Sequence, residues 1–360
     1  MTALALLLLA APAADFSPQI NDVLAVGPAA ENQDAARSAV KRLSMAGPDV
    51  LVPLLEAMGR ADGVADNWLR GAYEAALDRT DSVPVDALGR FFADRAQDNR
   101  ARRLAYETIR AADPAAAEVL AADGLDDPSP EMRKDAVAAI VAKATSDDAA
   151  ATLRRALDAA TDRTQVDDIA AKLKELGEEV DLKDKFGFLR DWRIVGPFDN
   201  RDEKGFDKKA GPEAGELAAP DFEAGYGSDY PDAAPPVSWG EYRTDSDDGV
   251  LDVAAQLQPW KGATVYAASE FEADAAREVE LRLSTDNAWK LWLNGELLFE
   301  REEYHRSMSW DQYVIPARVR EGRNVVVLKV LQNEQDQGWA QDFSYSLRVT
   351  DPAGRAVNFD

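Results

Sequence analysis

The chain has 360 residues, room for two ordinary domains, and 46% of them are hydrophobic, which excludes global disorder. Its 66 acidic residues outnumber 41 basic ones, and the net charge of −25 disfavours nucleic acid and anionic membrane surfaces as partners. With no cysteine and one histidine, His305, it lacks thiolate metal sites, disulfides and cysteine nucleophiles, and no G-x-S-x-G elbow supplies a serine for a triad.

The first residues, MTALALLLLAAPAAD, join an apolar run from Ala3 to Ala11 to small residues around Ala11-Pro12-Ala13 that suit a signal-peptide cleavage site. No Lys or Arg stands near Met1, where a strong n-region would place one. The reading is a signal peptide over 1–14 and an exported protein: periplasmic, on the cell surface or secreted. The run is too short to span a bilayer, and no other segment approaches that length.

From 18 to 182, Ala, Leu, Arg and Asp dominate and apolar residues recur at helical spacing. Helix openings repeat: DAARSAVKRL at Asp34, DNWLRGAYEAAL at Asp66, DNRARRLAYETI at Asp98, SPEMRKDAVAAI at Ser129 and TQVDDIAAKLKELG at Thr164. Arg37, Arg70 and Arg103 share the period, and Lys134 and Asp168 continue it. The Asp and Ser residues suit N-caps, whose side-chain oxygens accept from first-turn amides. Second helices follow near Val50, Val85, Ala115 and Asp147, so each unit is a helix pair that buries its apolar stripe only by stacking on the next. Pro48, Pro114 and Pro130 fall at helix edges, and Gly177 suits the residue after a helix end. This half resembles the short HEAT-like repeats of bacterial proteins. The resemblance implies an α-solenoid that either takes a partner protein on its surface or serves as a platform.

From Asp191 the helical period gives way to alternation, and seven of the eight tryptophans lie from Trp192 onward. Strands are predicted at 192–195, 239–243, 265–271, 278–283, 289–293, 296–299, 312–315, 324–331 and 342–350, the last alternating through Phe343, Tyr345, Leu347 and Val349. Asn294-Gly295 between two of them is a type I′ hairpin turn, where a bulky β-branched residue at Gly295 costs about 1–2 kcal/mol. The stretch 205–236, rich in Gly, Pro, Asp and Ala, reads as a long inserted loop, and Trp292 as core beneath a covering loop. Many short antiparallel strands imply a β-sandwich. DWRIVGPFDN, WGEYRTDSDDGVLDV, LRLSTDNAWKLWLNGELL and EGRNVVVLKV, in that order over 190–352, resemble the galactose-binding-domain-like jelly roll of exported bacterial proteins and of glycoside hydrolase sugar-binding modules. The fold class expected is multidomain α plus β: a HEAT-like α-solenoid followed by an antiparallel β-sandwich jelly roll.

That resemblance implies carbohydrate binding through loops at one end, with Thr285-Asp286-Asn287-Ala288 standing where relatives tend to carry Asp-Asp-Gly. The residues themselves offer REEYHRSMSWDQY over 301–313 and QNEQDQGWAQ over 332–341, since sugars take aromatic faces and planar polar groups. The ligand-binding set expected is Asp286, Asn287, Tyr304, His305, Arg306, Trp310 and Trp339. The competing reading makes Trp310 and Trp339 plugs of the sandwich ends. Asp245-Ser246-Asp247-Asp248-Gly249 lacks the ligand order of an EF-hand, and a structural calcium enters only as an implication of the resemblance. No other cofactor and no catalytic motif is predicted. The functional expectation is an exported, non-catalytic binding protein whose sandwich recognises a glycan or another surface ligand. The alternative is a protein-interaction scaffold using the repeats.

Overall fold

A computed structural model describes residues 14–145, 148–231, 233–357 and 359, so the signal-peptide segment up to residue 13 lies outside the described residues. The chain divides into two compact units, one ending at Glu178 and one beginning at Glu179. No helix among the described residues is long and apolar enough to cross a membrane.

The first unit is helical. Among the described residues it holds α1 Ser17–Leu24, α2 Gln33–Leu43, α3 Leu51–Met58, α4 Gly63–Leu77, α5 Val85–Ala93, α6 Asn99–Ala112, α7 Pro114–Ala121, α8 Pro130–Lys143, α9 Ala149–Ala159 and α10 Arg163–Glu175. The apolar stripes of α1 to α8 meet in one core running from Ile20 and Val23 through Leu54, Leu69, Leu88 and Ile109 to Met132. Each such Leu or Ile contributes about 1.5–3 kcal/mol by its burial.

Asp98 caps α6 as expected, accepting from the amides of Arg100 and Ala101. Two other predicted caps shift. Asp62, not Asp66, caps α4, and the fifth unit opens at Asp162, which caps α10 two residues before Thr164. Before α2 stands Asn32 at φ 56°, with Asp34 inside the first turn. Ser129 occupies its cap position without a side-chain bond. Gly177, at φ 80°, closes α10: the amide of Glu178 reaches the carbonyl of Leu173 and that of Gly177 the carbonyl of Lys174.

The second unit is antiparallel β. Its strands are β1 Asp191–Asp199, β2 Gly225–Tyr226, β3 Val237–Ser238, β4 Gly240–Arg243, β5 Leu251–Asp252, β6 Ala263–Ala273, β7 Arg277–Thr285, β8 Ala288–Leu293, β9 Glu296–Arg301, β10 Tyr313–Val319, β11 Gly322–Gln332 and β12 Ser344–Thr350. Six form one sheet in the order β4-β1-β6-β11-β8-β9 and four another, β10-β7-β12-β5. Trp192, Val265, Trp289 and Leu328 from the first sheet share a core with Leu281, Ile315, Tyr345 and Leu347 from the second. Asn294 at φ 51° and Gly295 at φ 83° make the predicted hairpin turn between β8 and β9.

The stretch 205–236 is more than a loop. With Val237 it lays Leu217, Phe222 and Tyr226 over Trp292, Tyr266, Val325 and Val327 on the outer face of the six-stranded sheet. That cover explains why β11 is apolar on both sides. It is pinned by Lys329, fully buried, which donates to the carbonyls of Phe206 and Lys208 and to the Glu213 carboxylate, all at 2.9 Å. The alternation predicted over 342–350 does not make β12 half-exposed; every residue of the strand is buried. Its outward Arg348 donates to Asp311 at 2.7 and 2.5 Å, so a charged residue stands at a covered position.

Candidate functional site

The turns after β1, β7, β9 and β11 carry the residues of interest at one end of the two sheets. Asn200, fully buried, anchors three of these segments: its side-chain amide donates to the Tyr304 hydroxyl at 3.2 Å and to the Gln332 carbonyl at 3.0 Å, and its oxygen accepts from Gly205. Tyr304 packs with Phe206, Ala288 and Leu331. Its phenol is pushed up to about 12, chiefly by burial, with the charges of Glu203, Glu302 and Glu334 adding to the shift.

His305 sits at φ 56°, and its Nε2 lies 2.6 Å from the side-chain oxygen of Asn333. The Asn333 amide in turn donates to Glu203 Oε1 at 3.2 Å, and Glu334 Oε1 accepts from the Asp202 amide at 2.7 Å. The His305 ring meets Trp339 edge-on, with centroids 5.3 Å apart and planes at 86°. Trp339 is 63% exposed, on a short 3-10 turn over Gly338–Ala340 that Lys261 holds by donating to the Ala340 carbonyl.

Asp286 and Asn287 are buried and brace this end from below. Asp286 accepts from the Met308 amide at 2.9 Å, and its backbone carbonyl accepts from Arg306. Burial raises the pKa of its carboxyl, and the charge of Asp342 adds to the effect. Asn287 donates to the Asp342 carbonyl and accepts from the Ser344 amide. The side chain of Arg306 is exposed and pairs with Glu303.

Trp310 lies apart from these residues. It packs edge-on against Phe186 at 4.9 Å and Phe188 at 5.6 Å, with the Arg348 guanidinium 4.7 Å from its ring. The arrangement thus brings together Tyr304, His305 and Trp339, supports them with Asp286 and Asn287, and adds Asn200, Glu203 and Asn333. Asn333 lies within the 332–341 stretch quoted from the sequence, whereas Asn200 and Glu203 lie more than a hundred residues away from Tyr304, and no local pattern marks them.

Among the described residues no group of three or more His, Asp or Glu is placed to hold a metal ion. The 245–249 turn closes on itself instead, the Ser246 amide donating to the Thr244 hydroxyl and the Asp248 amide to the Ser246 hydroxyl.

No protein-family model and no curated protein matches the chain. Among solved structures it is similar to a GH31 alpha-xylosidase from Xanthomonas citri, at 14% identity and TM-score 0.18, over 31% of this chain and 14% of that one. It is also similar to a Beta-glucosidase from Kluyveromyces marxianus, at 9% identity and TM-score 0.26, over 80% of this chain and 38% of that one. The chain therefore spans well under half the length of either. Both neighbours are glycoside hydrolases by name, which stands against the expectation of a non-enzymatic chain, and that expectation is withdrawn. At these TM-scores the likeness assigns this chain neither a fold nor a reaction.

Proposed function

We propose that the C-terminal unit, a jelly roll of the galactose-binding type over 190–352, recognises a glycan or another surface ligand, and that a HEAT-like solenoid over 18–182 is its platform in an exported protein. One observation carries the reading: Trp339 is exposed yet held, its ring fixed edge-on by His305, which is itself locked to buried Asn333. An exposed indole costs solvation unless something covers it, and a sugar's C–H face is a suitable cover. Gln335 and Gln337, both exposed, stand close in sequence to meet hydroxyls. A glycan array followed by calorimetry on the full chain tests this. Trp339→Ala is expected to weaken the best ligand at least about tenfold, about 1.4 kcal/mol, without lowering Tm. An array with no binder removes the sugar claim.

A second reading has its own observation. The helical unit carries a groove of about 570 Å³ lined by Phe16, Val52, Pro53, Ala87 and Phe91, where a partner protein would sit. Under that reading, binding of the partner by the full chain survives Trp339→Ala and is lost on Val52→Asp.

A further inference from the structure

The charge around Trp339 selects among glycans. Glu203, Glu334, Asp336 and Asp342 are all exposed, and they flank the Asn333–His305–Trp339 chain through the contacts described above and through the turn itself. The cations nearby are engaged elsewhere: Arg201 with Asp199, Lys204 with Asp202, and both Arg301 and Arg306 with Glu303. Lys261 is the exception: it donates to the Ala340 carbonyl, and its charge also acts on Asp336 and Asp342, offsetting part of theirs. Among the described residues none of the four carboxylates has an ion-pair partner. An exposed indole whose own turn and supporting contacts carry such groups disfavours a uronic acid or a sulfated sugar, whose charge would be repelled within a Debye length of about 10 Å at 0.1 M salt. It favours a ligand with an ammonium group, which gains both from the carboxylates and from the face of the Trp ring.

We infer that the site's preferred ligand is a glycan of amino sugars bearing free amines. This rests on the carbohydrate reading above and narrows it. The sugar ring stacks on Trp339, its hydroxyls meet the amide side chains, and its ammonium group lies among Glu334, Asp336 and Glu203.

The test uses the full chain and four short probes: a glucosamine tetrasaccharide, its fully N-acetylated counterpart, a tetrasaccharide of uronic acids and tetralysine. Calorimetry is run below the pKa of the sugar amine, at low and at about 0.5 M salt. The expected result is binding of the free-amine tetrasaccharide at least about tenfold tighter than the acetylated one, with the gap closing at high salt. The double variant Glu334→Gln with Asp336→Asn brings the two sugars within about threefold, and Trp339→Ala weakens both. Equal or tighter binding of the acetylated or uronic sugar overturns the amino-sugar claim and leaves the carbohydrate reading standing. Tetralysine binding as well as the free-amine sugar, or a free-amine affinity indifferent to Trp339→Ala, also overturns it, because the bulk acidity of the chain then accounts for the effect. If no tetrasaccharide binds, the carbohydrate reading itself falls.

Discussion

Each unit buries a cation, and the two burials work differently. In the helical unit Arg102, 1% exposed, meets Asp127 with two parallel bonds of 3.0 and 2.6 Å and donates through Nε to the Phe92 carbonyl. The Asp127 carbonyl accepts from Arg133, so one aspartate joins α6 to α8, and Arg102 adds the end of α5. Everything joined lies between residues 92 and 133. In the β unit Lys329 pins carbonyls and a carboxylate from a segment more than a hundred residues earlier. A guanidinium's planar fork suits closing neighbouring turns; an ammonium's three donors suit gathering a strap. The first device is local and the second spans its unit.

The largest effect expected follows from the first. Asp127→Ala leaves Arg102 buried without its carboxylate and costs about 3–5 kcal/mol. Hydrogen exchange on the full chain should show lost protection in α5 to α8 and none in β6, β8 or β11. Equal loss in the β strands would break the local-versus-spanning contrast. Lys329→Met comes next, at about 2–3 kcal/mol, because Glu213 keeps its bond from the Tyr266 hydroxyl. Here limited proteolysis should open new cuts within 205–236, and adding Glu213→Leu should restore resistance, since an apolar pair replaces a buried ionic one at little cost. A double variant as labile as the single one would mean that the ion pair is not what holds the strap.

What the sequence revealed and what it hid divide along the same line. Period and turn chemistry placed the helices, the strands and the Asn294-Gly295 hairpin because those are local consequences of the residues concerned. The repeat of Arg37, Arg70 and Arg103 was legible, yet the buried cations are Arg102 and Arg133. Arg37 and Arg70 stay mostly exposed in short-range pairs, one helix position round from the core-facing row. Caps moved because a chain this rich in aspartate offers several oxygens within a turn of each helix start. At the site, Tyr304, His305 and Trp339 stood out as aromatics in turns, but Asn200 and Glu203 are joined to them only by the fold. Trp310 looked equivalent and is not: Phe186 and Phe188, from the segment before β1, cover it.

The smallest effect concerns two carboxylates of the β unit, buried Asp286 and half-buried Asp311. Burial pushes Asp311 up, but the hydrogen bonds and charges of Arg348 and Arg282 outweigh it and hold the carboxyl below the usual aspartate range. Its contribution is therefore present above that range and fades only as pH falls through the depressed folded value. Asp286 has no cation bonded to it, and burial leaves its pKa raised. The folded state then holds a proton that the unfolded state releases, so stability falls as pH rises from the ordinary value of about 3.9 through the raised one. Asp286→Asn keeps an oxygen for the Met308 amide and removes the ionisation. It should raise Tm at pH 7 by about 1–3 °C and abolish the gain seen on mild acidification. Melts from pH 7 down to pH 4 that run parallel for the variant and the parent would show that Asp286 ionises in the fold at no cost, and that the loop end above it is wetter than its burial implies.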